Sequence, residues 1–270
     1  NTPPCQLFPF LEGILFVGYP VFMPDKRLHR GPHPDDSRLF SDRQIPVLRQ
    51  AVTDYSWLLS RGYAETSALK LVGDHFSLDS RQRLAVMRSS CSISRLANRR
   101  QKEIPASAIA GQTVLLDGYN ILITLEAALS GAVLLVGQDG CIRDLSGLHG
   151  SWRKVCETLA AIELAAGTLK RLNPRQAVWL LDRPVSNSGR LKALLQEYFA
   201  QQNLHWQVEI HPNPDLILRQ TSEPVATSDS AVLDQCCRWF NLSRTALQNI
   251  SPSPKPLFLI DLSTSTAPSA

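Results

Sequence analysis

Apolar residues recur at Ile45, Val47, Leu48, Val52, Tyr55, Leu58 and Leu59, spacing that predicts a helix over about Ser41 to Ser60 with Pro46 in its first turn. Thr66 is placed to cap a short helix through Val72, and Ser80 another through Ser90. The turns Arg61-Gly62 and Gly73-Asp74 separate these segments, and the pattern predicts a small helical domain ending near Glu103. Ahead of it, His29-Arg30-Gly31-Pro32-His33-Pro34-Asp35-Asp36 holds too much Pro and Gly for regular structure and reads as an arm.

After Ile104-Pro105 the pattern changes to short β-like runs alternating with helices. Strands are expected at Thr113–Leu116, Ala132–Val136, Ala177–Leu181, Trp206–Ile210, Pro224–Thr227 and Leu257–Ile260, and helices at Tyr119–Leu129, Ser151–Leu172, Ser188–Gln202 and Asp229–Phe240. Gln138-Asp139-Gly140, between two apolar runs, reads as a hairpin turn. The alternation predicts a three-layer α/β domain with a mainly parallel sheet, whose functional side chains gather beyond the carboxyl ends of the strands. The expected division is extension and arm over 1–40, helical domain over 41–104, α/β domain over 112–262 and a disordered tail over 263–270.

At 270 residues and 44% hydrophobic positions the chain can bury one large or two ordinary cores, which excludes intrinsic disorder and a small disulfide scaffold. The most apolar stretch, Leu7 to Met23, is broken by Pro9, Glu12, Gly13, Gly18 and Pro20, too short and interrupted for a membrane helix and lacking the basic start of a signal peptide. Residues 1–22 read as an upstream extension or processed remnant. Six scattered cysteines include no CxxC pair, which argues against structural zinc and for a reducing, cytoplasmic setting; the adjacent Cys236 and Cys237 read as thiols of a core-facing helix.

Charge is unevenly distributed. The net +4 divides into 15 Lys and Arg against 9 Asp and Glu over residues 25–104, and 13 against 14 over residues 105–270. Between Ser80 and Lys102 lie Arg81, Arg83, Arg88, Arg95, Arg99, Arg100 and Lys102 without one acid, a concentration suited to a phosphate backbone or, alternatively, to a solvated helical face.

The chemistry-bearing feature is a set of acids at strand ends: Val114-Leu115-Leu116-Asp117, Val178-Trp179-Leu180-Leu181-Asp182 and Val225-Ala226-Thr227-Ser228-Asp229, with Asp234 five residues later and Asp261 ending the last strand. A carboxylate closing a hydrophobic strand is costly unless solvated, paired or bound to a cation. Each alone can be a helix cap or turn residue; several converging would repel, and hard oxygen donors select Mg²⁺ or Mn²⁺.

Leu115-Leu116-Asp117-Gly118-Tyr119-Asn120 resembles the first-strand signature of the NYN branch of PIN-like nucleases, and Thr227-Ser228-Asp229 is similar to that family's second acidic cluster. The resemblance covers about residues 112–262, and the pairing of helical segment with α/β domain also resembles a prokaryotic two-part family. It implies RNA hydrolysis with Mg²⁺ or Mn²⁺. In this reading Asp117 is the principal metal ligand, Asn120 orients it or touches the scissile phosphate, Asp182 is the middle-strand acid, Asp229 shares the metal and Asp234 is an outer ligand. The chain departs from the common pattern at Ala231, where a second aspartate usually stands.

Asp182 leads into Arg183-Pro184-Val185-Ser186-Asn187-Ser188-Gly189-Arg190, where Arg183, Asn187, Ser188 and Arg190 could cradle a phosphate at a helix start or simply form a loop and an N-cap. His149, before a capping Ser151, and the arm residues His29 and His33 are weaker candidates for chemistry. No nucleophile elbow, phosphate loop or dinucleotide fingerprint is present. The expectation is a metal-dependent PIN-like endoribonuclease whose helical domain holds RNA through Arg81, Arg83, Arg88, Arg99 and Arg100. One alternative is an RNA-binding adaptor that does not cut. The other is an aspartate-based phosphatase, which usually needs an Asp where Tyr119 stands.

Overall fold

The computed structural model describes residues 29–146, 152–248, 250 and 257–263. The short α1 (Asp36–Leu39) leads into α2 (Ile45–Ser60), α3 (Glu65–His75), α4 (Ser80–Ser89) and α5 (Ile93–Lys102). Pro46 sits in the first turn of α2, where its missing N–H is harmless, and Asp79 with Gln82 closes a capping box on α4. Helix α5 starts on Ser92, whose hydroxyl accepts from the Arg95 N–H.

The rest of the chain is mixed α/β: β1 (Thr113–Asp117), α6 (Gly118–Ser130), β2 (Leu134–Val136), β3 (Ile142–Asp144), α7 (Thr158–Leu172), β4 (Gln176–Asp182), α8 (Ser188–Gln201), β5 (Gln207–His211), α9 (Pro214–Gln220), β6 (Val225–Ala226), α10 (Ser230–Gln235), β7 (Trp239–Phe240), α11 (Leu242–Gln248) and β8 (Leu259–Asp261). Five strands form one parallel sheet in the order β5-β4-β1-β6-β7, flanked by helices. A second sheet, β3-β2-β8, contains the antiparallel hairpin at Gln138-Asp139-Gly140.

Two expected helices differ. The one expected from Ser151 begins at Thr158, because the Trp152 N–H donates to the Ser186 carbonyl and holds the preceding stretch against the β4–α8 loop. The helix expected over Asp229–Phe240 stops at Gln235, since Trp239 and Phe240 pair in parallel with β6 instead. Cys236, past the end of α10, is buried, whereas Cys237 is exposed, so the pair is not a core-facing helical stripe. His149, residues 1–28 and most of the C-terminal tail lie outside the described residues.

The helical region and the α/β region share a core. Leu48, Val52, Tyr55, Ala85 and Val86 cluster with Leu135 and Ile260 of the second sheet and with Val133, Leu145 and Leu262 next to its strands. The opposite face of that sheet, including Leu134 and Ile142, belongs to the main cluster with α6, α7 and β4. The change at Ile104 is therefore one of element type within continuous packing. The arm is tied down as well: Arg30 pairs with Glu126 inside α6 at 2.5 Å, and Arg81 pairs with the buried Asp36.

Candidate functional site

Register in the parallel sheet decides which acids meet. Leu116 lies beside Ala226, so Asp117 and Thr227, one residue on, stand level and on one face; the Thr227 hydroxyl donates to Asp117 Oδ2 at 2.8 Å. Asp117 lies beside Leu180, which places Asp182 two residues further along β4 on the same face. Gly118 lets β1 turn into α6 close against β4: a Cβ there would come within 2.9 Å of the Leu180 carbonyl oxygen and 2.6 Å of Leu181 Cδ2. This contact accounts for the glycine in Asp-Gly-Tyr-Asn.

Asp117 also caps α6, its Oδ1 accepting from the Asn120 N–H at 3.2 Å. Asn120 Oδ1 accepts from both the Ser228 N–H and the Ser228 hydroxyl, at 2.7 and 2.8 Å. Asp229 caps α10 through Oδ1, which accepts from the Ala231 and Val232 N–H groups at 2.9 Å. Capping and membership of an acidic mouth are therefore properties of the same side chains.

The electrostatics show which carboxylates share that mouth. Burial pushes the Asp117 carboxyl up to about 7; the Thr227 and Asn120 hydrogen bonds pull it down, and the charges of Asp229 and Asp215 push it further up. Asp182 is raised by burial and then by Asp215, and Asp215 by burial and then by Asp229, with Arg219 opposing. The structure thus brings Asp117, Asn120, Asp182 and Asp229 together and adds Asp215, which sequence reasoning missed. Asp215 sits in the first turn of α9, behind the Asn213 cap and Pro214. That helix-start signal follows an expected strand directly and was available in the sequence.

Other expected members lie elsewhere. Asp234 is not in the mouth: Arg99 holds it at 2.6 Å and Arg95 at 3.5 Å. Asp261 ends β8 in the other sheet, where its carboxylate accepts from Ser263. His29 faces Glu157 at 2.8 Å, and His33 faces Asp35. Tyr119, which stands where the aspartate-based phosphatase reading needs a second aspartate, is buried in α6.

The arginines of the helical region are largely consumed within the fold. Arg81 grips Asp36 with two nitrogens, Arg83 bonds the Leu78 carbonyl and Asp74, and Arg88 bonds the Asp144 and Ser146 carbonyls. Arg99 is fully buried against Asp139 and Asp234. Arg100 alone of these five is exposed, with one long contact of 3.4 Å to the Gln138 carbonyl. The expected basic face is therefore mainly an internal brace, because each guanidinium finds a carboxylate or carbonyl on a neighbouring element. Arg183, next to Asp182 in the chain, and Arg190 in the first turn of α8 are exposed. The phosphate cradle around them is mostly closed: the N–H groups of Ser188 and Arg190 donate to the Val185 and Asn187 carbonyls, and Asn187 Nδ2 donates to the Trp152 carbonyl. Asn187, with φ 70°, takes the cap position expected of Ser188.

A divalent cation fits the mouth by donor chemistry, since its acids offer hard carboxylate oxygens; of those the electrostatics link, Asp215 has a cationic partner in Arg219, at 3.5 Å. Among the described residues no three His, Cys, Asp or Glu side chains form a ready-made metal cage. One or two carboxylates with water completing the shell is the arrangement Mg²⁺ favours. A cavity of about 580 Å³ lies elsewhere, between the arm and the second sheet, and none of its lining residues belongs to the mouth. Its Arg30 and Arg81 are already paired with buried acids.

Fold and site together define a parallel-sheet α/β protein with an acidic mouth at the strand carboxyl ends and a helical region packed on its flank. Residues 106–245 match the family described as Domain of unknown function (DUF5616), and the chain belongs to that family. Residues 47–102 match the family described as Protein of unknown function (DUF434). A protein of Methanocaldococcus jannaschii, "Uncharacterized protein MJ0935", is 30% identical over 186 residues, covering 69% of this chain and 88% of its own length. No solved structure matches the chain. None of these descriptions names a PIN or NYN domain. Among the described residues no helix is long and apolar enough to cross a membrane.

Proposed function

We propose that this protein is a Mg²⁺- or Mn²⁺-dependent PIN-like nuclease that hydrolyses RNA phosphodiester bonds in a cytoplasmic setting. The observation carrying this reading is the convergence of Asp117, Asp182, Asp215 and Asp229 from separate elements onto one mouth, where burial and neighbouring acids disfavour the ionisation of Asp117, Asp182 and Asp215. A bound divalent cation there supplies Lewis-acid stabilisation of phosphate charge and an activated water. Asp117 and Asp229 are the residues to hold it, tied through Thr227, whose hydroxyl also accepts from the Asp229 N–H. Asn120, its Oδ1 committed to Ser228, presents Nδ2 as a donor to a phosphate oxygen. Arg183 and Arg190 replace the helical arginines as the cations that meet the polymer backbone. The choice of RNA rests on the NYN-like Asp117-Gly118-Tyr119-Asn120 motif.

The substitution Asp117→Asn is expected to lower Mn²⁺-dependent cleavage of single-stranded RNA by at least roughly 100-fold with the near-UV circular dichroism unchanged. Full turnover in that variant ends the nuclease assignment. A second reading, RNA binding without cleavage, draws on Ala231 and the open geometry of the acids. It is distinguished by RNA binding that persists in chelator while no cleavage appears at any Mn²⁺ concentration.

A further inference from the structure

The segment Thr227-Ser228-Asp229 directly follows a strand of only two residues, yet it carries the partner of Asp117 and one acid of the mouth. Something must hold its backbone. On one side Asn120 takes the Ser228 N–H and hydroxyl. On the other, Arg143 of β3 donates from Nε to the Ser228 carbonyl at 2.8 Å. Arg143 comes from the second sheet, outside the elements that build the mouth.

The guanidinium is itself fixed. Asp139 in the hairpin turn receives both remaining nitrogens of Arg143, at 2.8 and 2.7 Å, the bidentate geometry that sets the plane of an arginine. Asp139 also receives Arg99 from α5 at 2.6 Å and the Cys141 N–H at 3.1 Å. All three charged side chains are buried, and Gly137 leaves room for them: a Cβ there would come within 2.7 Å of Arg143 Nη1. The contacts run without a break from α5 through Asp139, Arg143, Ser228 and Asn120 to the α6 turn that Asp117 caps.

Resting on the nuclease reading above, we propose that Arg143, oriented by Asp139, is a positioning residue of the acidic mouth that fixes the Ser228 peptide and so the placement of Asp229 against Asp117. The helical region, through Arg99, completes this brace; its arginine acts on the site from inside the protein rather than on the RNA.

The test compares full-length wild type with Arg143→Met, Arg143→Lys and Gly137→Ala. The readouts are amide hydrogen exchange over residues 225–235 and titration with Mn²⁺ alone. Arg143→Met is expected to speed exchange of the Ser228 and Asp229 amides about tenfold while β1 and β4 keep their protection, and to weaken Mn²⁺ binding roughly 10- to 100-fold. Arg143→Lys, which can still reach one acceptor, should recover part of both effects. Should Arg143→Met fail to fold, Gly137→Ala, whose Cβ would press hardest on Arg143 Nη1, at 2.7 Å, and less on Asp139 Oδ1 and the Ser89 carbonyl, at 3.1 and 3.3 Å, takes its place with the same expected pattern. Unchanged exchange over 225–235, or loss of protection spread evenly over all strands, overturns the proposal in favour of a general structural ion pair. Wild-type protein that takes up no Mn²⁺ ends the metal reading, whereas local loosening around Ser228 still supports the positioning role.

Discussion

At the level of single residues, Asp117 works against its own ionisation. Both its oxygens accept hydrogen bonds, yet burial and the neighbouring acids raise its pKa from 3.8 to about 7. An acid whose folded-state pKa exceeds its unfolded value costs stability once the unfolded chain ionises. The penalty therefore begins near pH 4, grows to about pH 7 and is constant above. In chelator at about pH 8, Asp117→Asn should be more stable than wild type by on the order of 2 kcal/mol, less than the full shift implies because the carboxylate keeps some contact with water. Toward about pH 5 the margin should shrink, which denaturant titrations at the two pH values measure. An equal margin at both places the ionisation elsewhere. Asp117, Asp182 and Asp229 were legible in the sequence because an acid closing a hydrophobic strand demands a physical reason, and Asn120 through the Asp-Gly-Tyr-Asn resemblance. Asp234 and the arginines were not, because ion pairing between separate elements, such as Arg81 to Asp36 or Arg99 to Asp234, leaves no local trace.

Elements show why the basic stretch misled. The run from Arg81 to Lys102 has no acid within it, but its neighbours in space are Asp36, Asp74, Asp139 and Asp234 from α1, α3, the hairpin turn and α10. Arg81→Ala leaves Asp36 buried and unpaired, and should destabilise the protein by about 3 kcal/mol with little change in RNA affinity. The double variant Arg183→Ala with Arg190→Ala should do the reverse, keeping stability while flattening the salt dependence of RNA binding by up to about two charges. Thermal melts and filter binding at several salt concentrations separate the two; weaker binding from Arg81→Ala at full stability restores the helical face as the RNA surface. Strands and helices with clear periodicity were legible for the complementary reason: β1, β4, α2 and α8 each bury a continuous apolar face. The short β7 was hidden because Cys236-Cys237-Arg238-Trp239-Phe240 is an apolar run too brief for periodicity to choose between helix and strand.

For the whole molecule, the division at Ile104 separates composition without separating energy. Leu135 and Ile260 of the second sheet, with Val133, Leu145 and Leu262 next to its strands, are buried in one cluster with residues of α2, α3 and α4, and Ile104 itself donates its N–H to the Trp239 carbonyl of β7 in the main sheet. Each such aliphatic side chain returned to water costs roughly 1.5–3 kcal/mol, so stripping five costs about as much as the whole stability of a typical domain. Arg99 adds a charged reason, since without it Asp139 keeps one guanidinium and Asp234 loses its shortest partner. Residues 105–263 expressed alone should consequently be aggregated or molten, with secondary structure in the far-UV but no sharp near-UV circular dichroism. The full chain should unfold in a single calorimetric transition whose van't Hoff and calorimetric enthalpies agree. Two resolved transitions, or a soluble α/β fragment with native-like near-UV signal, would show that the helical region is a separable module and that its arginines are free to serve a partner after all.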